Sequence, residues 1–345
     1  MPPLELVLGG VLVIALTIYA LTGGADFGAG VWDLLAFGPR AAQQRELIAH
    51  AIGPIWEANN VWLILVVVVL FTAFPPAFAA ILTALFVPMC VMLVGIVLRG
   101  SAFAFRSQVA QHSPTEGLLT RIFAVGSIIT PLMLGVSLGT LASGRIVLTN
   151  GLVTGGFFTT WQMPFAWAVG ALALALFAYL AALYLAVEAP PVLRDDFRAR
   201  ALAAALVSGA LAALVLVLGR AATPPIYADP MSKPWALPLG LFTTLAALGA
   251  LSALWRRRFV LARALGVGQV VLILWGWAAA QYPFLVPPQL SLADAAAPPA
   301  TLRLLLIALV AGALVLFPSF YYLYRVFKGP AAFALTQTKI EPPRE

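Results

Sequence analysis

Charge is what this sequence has least of. Only 10% of its 345 residues are Asp, Glu, Lys or Arg, against 62% hydrophobic, and mean hydropathy is +1.00. A water-soluble domain carries about 25% charged residues because it must solvate its whole outer surface. A water-facing globule of this length is therefore excluded. Cysteine is nearly absent: the single Cys90 allows no intrachain disulfide, and its apolar setting reads as a small buried residue. Histidine is almost as rare. His50 and His112 both fall in or beside expected loops, which leaves no inward histidine pair to hold a haem in a helical bundle. Met89, Met92 and Met133 lie within apolar runs, where methionine is also an ordinary gap filler. There is no phosphate-binding glycine loop, no Cys/His metal spacing and no Ser/His/Asp constellation.

What remains is a series of apolar runs. A spanning helix needs about 20 mostly apolar residues, since the hydrocarbon layer is about 30 Å thick. Nine stretches qualify: 4–36, 53–73, 76–99, 121–142, 161–187, 198–219, 236–255, 259–280 and 302–325. In lipid every backbone N–H must be paired within its own segment, so these are read as helices. Proline pairs punctuate them at Pro75-Pro76, Pro224-Pro225, Pro287-Pro288 and Pro298-Pro299. Residues 329–345 read as a short polar tail, and the whole chain as one polytopic membrane domain. No Lys or Arg precedes Arg40, so no secretory leader is expected.

The net charge of +7 does not point to nucleic acid, because the basic residues are scattered through short loops. Alternate loops of a nine-span chain fall on opposite sides, and 16 Lys and Arg then lie on one side against 4 on the other. The positive-inside rule assigns the rich side to the cytoplasm. The expected topology has the N-terminus outside and the C-terminus in the cytoplasm.

Acids inside apolar spans are expensive and are functional candidates by default. Asp26 and Glu57 stand out, both toward the expected cytoplasmic ends of their spans. Asp26 sits in Thr22-Gly23-Gly24-Ala25-Asp26-Phe27-Gly28, where Gly24 and Gly28 form a small-xxx-small pair for close helix contact. Glu57 is followed at i+3 by Asn60 on the same helix face, with Trp56 and Asn59 extending a polar strip toward Trp62. Arg99, at the expected end of the third span, is the basic neighbour nearest to hand. A proton relay or subunit interface built from Glu57, Asp26, Asn60 and Arg99 is the functional reading. Structural contacts holding helices together are the plain one.

Gly24-Ala25-Asp26-Phe27-Gly28-Ala29-Gly30, then Ile55-Trp56-Glu57-Ala58-Asn59-Asn60-Val61-Trp62-Leu63, then Leu98-Arg99-Gly100-Ser101-Ala102-Phe103-Ala104-Phe105-Arg106, resemble in order subunit II of cytochrome bd quinol oxidases. Thr154-Gly155-Gly156-Phe157-Phe158 and Tyr282-Pro283-Phe284 support the resemblance, which covers essentially the whole chain. Two departures stand out. Asn60 occupies a position where the family usually has Glu, Gln or His, and Met163-Pro164-Phe165 replaces a more usual Asn-Pro-Phe. The resemblance implies an all-α fold of two four-helix bundles plus one peripheral helix. It also implies a complex that oxidises quinol and reduces dioxygen to water in aerobic respiration. Haems b558, b595 and d, with the quinol site, are then expected in subunit I, and none ligated by this chain. A small single-span accessory subunit is a further candidate partner, and membrane lipid surrounds the whole. The rival readings are a proton-coupled secondary transporter and a purely structural scaffold. Against a transporter, both acids lie toward one side, and no Gly/Pro-broken spans recur at matching positions in two halves.

Overall fold

The computed structural model describes residues 3–53, 56–106, 108–109, 113–155, 158–222 and 233–328. The 223–232 part of the Pro224-Pro225 loop, His112, Ile55, Gly156-Phe157 and the polar tail 329–345 lie outside the described residues. Eleven helices run in the order α1 (Leu4–Leu34), α2 (Ala41–Ile52), α3 (Trp56–Ala73), α4 (Pro75–Ala84), α5 (Phe86–Arg106), α6 (Pro114–Ser143), α7 (Pro164–Glu188), α8 (Pro191–Ala222), α9 (Ala236–Trp255), α10 (Phe259–Gln281) and α11 (Pro299–Lys328). Two small antiparallel hairpins, β1–β2 (Val147–Thr149, Leu152–Thr154) and β3–β4 (Phe284–Val286, Leu290–Ser291), connect α6 to α7 and α10 to α11. Among the described residues nine helices are long and apolar enough to cross a membrane, all but the short α2 and α4.

Local chemistry sets the boundaries. Proline opens α4, α6, α7, α8 and α11, where its missing N–H is one of the groups a helix start leaves unpaired anyway. Ser113 caps α6 by accepting the Glu116 N–H at 3.2 Å, and Gly144 ends the same helix in the left-handed conformation (φ 67°). The stretch expected as one span, 76–99, divides instead into α4 and α5. Pro88 has no N–H to offer the Ala84 carbonyl, so the first helix stops there and a new one starts at Phe86. The crossing helix α5 then extends to Arg106, which moves Arg99 from an expected helix end to seven residues inside one.

The helices have two well-defined ends. At one, the hairpins close over the bundle, and the Ala297 N–H donates to the carbonyl of Ala73 at the end of α3 (2.8 Å). At the other, Arg200 of α8 donates to the Leu35 carbonyl and to Gln44 of α2, while Arg40 and Gln44 both bind Asp196. The packing centre is α7, which meets α1, α6, α8 and α10; α11 leans mainly on α1 and α3. Outward faces carry large apolar side chains such as Ile64, Phe71, Leu216 and Leu314. A spanning bundle faces hydrocarbon rather than water, so it need not hide them. Cys90, expected to be buried, is exposed on α5 for the same reason.

Gly24 and Gly28 lie against α7. A Cβ on Gly28 would fall on the Phe177 carbonyl oxygen, and one on Gly24 would meet the Phe177 ring. The absence of side chains there sets the α1–α7 spacing. Gly28→Ala is expected to lower the stability of the purified protein by about 1–3 kcal/mol through overpacking. Gly10→Ala, with open space around its Cβ, should be neutral or stabilising. Thermal unfolding in one detergent compares the two, and equal melting would refute the α1–α7 spacing role.

Candidate functional site

Arg99 is a buried arginine held by contacts on several sides. It is only 4% exposed, although it sits in the interior of a membrane-spanning helix. Its guanidinium lies between two rings, 4.7 Å from the Phe27 centroid and 5.1 Å from that of Phe123. Nε donates to Ser127 Oγ at 3.1 Å, and Nη2 donates to the main-chain carbonyl of Asp26 at 3.0 Å. Ser127 in turn donates to the Phe123 carbonyl. Close approach of α5 and α6 makes this reach feasible: a Cβ on Gly126 would press on the Gly95 carbonyl and on Arg99 itself. The Asp26 charge also acts on the guanidinium, so burial is offset by hydrogen bonds, ring faces and an opposite charge together.

Asp26, 7% exposed, faces α3. Asn59 donates from Nδ2 to Asp26 Oδ2 at 2.5 Å, and the Tyr324 hydroxyl of α11 donates to Asn59 Oδ1 at 3.1 Å. Three helices are thereby joined by one polar chain. Trp62 stacks on Phe320 next to it (5.5 Å, 15° between planes), and Trp56 meets Phe103 edge-on at 5.9 Å. The Tyr19 hydroxyl is buried beside the cluster with no hydrogen-bond partner among the described residues, and it feels the charges of both Arg99 and Asp26. Asp26 and Asn59 border a cavity of about 800 Å³ that His50, Glu188, Arg263 and Tyr324 also line. It lies toward the α2 end of the bundle.

The expected grouping of Glu57 and Asn60 with Asp26 and Arg99 is corrected here. Residues advance by about 100° each around a helix, so Asn59 and Glu57 point to nearly opposite sides of α3. Because Asn59 (1% exposed) faces Asp26, Glu57 faces outward and is exposed. Asn60 is half-buried, and among the described residues its amide donates within the helix, to the Trp56 carbonyl at 3.4 Å. Sequence reasoning also passed over Asp33. It is 1% exposed and paired with Arg106 at 3.0 Å. The signal was there: Asp26 and Asp33 on α1, and Arg99 and Arg106 on α5, share a spacing of seven, two turns on one face of each helix.

Buried axial His, Met or Cys ligands would be needed for haem in such a bundle. Among the described residues His50 and Cys90 are exposed and do not fit that need, and Met92 and Met133 pack within the apolar core. Among the described residues no three His, Cys, Asp or Glu side chains gather as metal ligands.

The sequence matches the family model described as cytochrome bd terminal oxidase subunit II over residues 4–327. The chain belongs to that family. As a subunit II, it is part of a quinol:oxygen oxidoreductase complex. It is 25% identical over 322 residues to the putative cytochrome bd menaquinol oxidase subunit II of Bacillus subtilis, covering 90% of this chain and 91% of that one. It is 32% identical over 203 residues to the cytochrome bd-I ubiquinol oxidase subunit 2 of Escherichia coli K12, covering 58% and 52% of the two chains. Its fold is similar to a chain of the bd oxidase from Geobacillus thermodenitrificans, with TM-score 0.78, 25% identity, and 94% and 98% of the chains covered. Transporter and scaffold readings are not favoured by these relationships.

The Asp33–Arg106 pair gives a test of the inner polar layer. Removing one partner of a buried pair leaves an uncompensated charge and costs about 3–5 kcal/mol. Arg106→Met alone should therefore destabilise the subunit II strongly, and adding Asp33→Asn should restore much of the loss. A double-mutant cycle by thermal unfolding measures the coupling; additive effects would show that the pair contributes nothing as a pair.

Proposed function

We propose that this chain is the non-haem subunit of a bd-type quinol oxidase in a bacterial inner membrane, and that its carboxylates feed protons toward the reaction in subunit I. The observation that carries the reading is a buried carboxylate, Asp26, hydrogen-bonded to Asn59 at the edge of an 800 Å³ cavity near the arginine-rich end. Reduction of dioxygen to water consumes protons, and a proton crossing low-dielectric protein needs ionisable or hydrogen-bonding stations. His50 and Glu188 at the cavity are titratable entry groups, while Asn59 and Tyr324 continue the hydrogen-bonded chain. Haem b558, haem b595 and haem d are assigned to subunit I in this reading. The relatives' names carry different quinols, menaquinol and ubiquinol, so the substrate is stated only as a quinol.

Glu57 takes a different place in this reading. It heads an outward face of α3 that continues through Val61, Ile64, Val68 and Phe71, apolar side chains that are mostly exposed. A carboxylate on such a face is costly against hydrocarbon, and a docked subunit I would cover it. We assign Glu57 to that interface, as the station from which a proton leaves this chain. For assembly we group α1, α3, α5 and α6 against α7–α10, with α11 peripheral.

In the complex, Glu57→Gln removes the exchangeable proton while keeping shape. Turnover with quinol and oxygen, normalised to haem d, should fall by roughly tenfold or more, and Glu57→Asp should keep more activity than Gln. A structural contact predicts the reverse ordering, and full activity of Glu57→Gln ends the relay reading. Haem loss or dissociation of subunit I in both variants would mean that Glu57 acts in assembly.

Orientation is tested separately. The 16-to-4 division of basic residues supports an α2 end in the cytoplasm. A reporter fused after Glu345 should be cytoplasmic and one in the 223–233 loop external. Both on one side would refute the topology.

A further inference from the structure

A second cavity, of about 660 Å³, opens at the α2 end of the molecule where α7, α8 and α10 meet. Arg194, Arg257 and Arg258 line it, together with apolar Val187, Phe259 and Leu261. Neutralisation is sparse. Arg257 pairs with Asp195 at 3.2 Å, both partners being well exposed, and Arg194 donates from Nε to the Ala189 carbonyl. The Arg258 guanidinium has no hydrogen-bond or ion-pair partner among the described residues, although its main chain is bonded. Two further features aim at the same place. Phe259 and Leu261 belong to the first turn of α10, whose N–H groups have no carbonyl ahead of them and carry the positive end of the helix dipole. Val260 and Leu261 are exposed apolar side chains immediately beside the arginines, and Trp255 stands exposed at the preceding turn.

Depth decides which anion meets this site. The 20 residues of α9 make a helix of about 30 Å, which matches the hydrocarbon thickness. The Arg256-Arg257-Arg258 turn that follows therefore lies at headgroup level, with an aromatic side chain beside it as interfacial tryptophans commonly are. We propose that this cavity binds the phosphate-bearing headgroup of one anionic phospholipid. Arg258, Arg257 and Arg194 surround the phosphate, the first turn of α10 faces it, and the acyl chains lie along Val260 and Leu261. Arginine suits the task because its planar donors match phosphate oxygens. The site draws on family membership only for the complex in which it is tested; the proton reading is judged on turnover and this one on lipid retention, so either can fail alone.

The intact oxidase complex, purified in detergent and supplied with phosphatidylglycerol, phosphatidylcholine or inorganic phosphate, provides the test. Native mass spectrometry should find one phosphatidylglycerol retained through delipidation, and thermal unfolding should shift upward with that lipid and not with the other two. Arg258→Gln with Arg257→Gln should reduce retention by about fivefold for each charge removed. Arg258→Lys alone should keep most of it, and Arg303→Gln, at the hairpin end, should change nothing. Equal retention by the double variant and the unmodified complex overturns the proposal. So does equal retention of phosphatidylcholine, and so does equal stabilisation by inorganic phosphate, which would make this a site for free anions. Should the double variant fail to assemble, the comparison of the two lipids on the unmodified complex still decides.

Discussion

A guanidinium removed from water inside a bilayer-spanning bundle must find replacements for its lost hydration, and the arrangement around Arg99 is built to supply them. Phe27 and Phe123 present ring faces, Ser127 and the Asp26 carbonyl accept its protons, and the Asp26 charge balances its own. Each partner comes with a demand on the backbone. Phe27 and Asp26 fix the rotation of α1, and Phe123 and Ser127 fix that of α6. Once α1 is so turned, Gly24 and Gly28 meet α7 and Asn59 of α3 meets Asp26. The apolar packing elsewhere tolerates volume-conserving exchange; this contact does not.

The same constraint explains why polarity in this protein is concentrated in layers. Arg99 with Asp26, and Arg106 with Asp33, stand two helical turns apart on α1 and α5, about 10 Å along the axis. Because these helices run in the same direction, equal spacings on each keep both levels in register. Closer to the helix ends, Arg40, Gln44, Asp196 and Arg200 form a third, wetter layer. The arginines become more exposed from Arg99 through Arg106 to Arg40, toward the α2 end, the direction in which the larger cavity also lies.

Much of this was legible in the residues. Hydropathy located the apolar runs, since length and lack of charge are direct consequences of bilayer thickness. Gly24 and Gly28 announced a close helix contact, and Asp26 and Arg99 announced a polar one. What escaped has physical reasons. The break at Leu85 depends on Pro88 acting four residues back, which a hydropathy window averages away. Choosing Asn59 over Asn60 required knowing which face of α3 meets α1, and an evenly apolar helix gives no such phase. Asp33 was passed over because its partner lies 73 positions away, although the matching seven-residue spacings on α1 and α5 could have revealed it. The outward direction of Glu57 follows at once from the inward direction of Asn59, but from nothing in the local sequence.

The parallel course of α1 and α5 also bears on how the chain enters the membrane. Synthesis proceeds from the N-terminus, so α1 is already in the bilayer, with its acids in place, when α5 emerges with two arginines. An isolated helix carrying Arg99 deep in its apolar stretch would resist partitioning into lipid. Beside α1 it meets an acceptor carbonyl and an opposite charge at the moment it needs them, and α6 then arrives to close the pocket with Phe123 and Ser127. Chain order and charge placement together make the earliest helix the receptor for a later one that could not be inserted as easily alone.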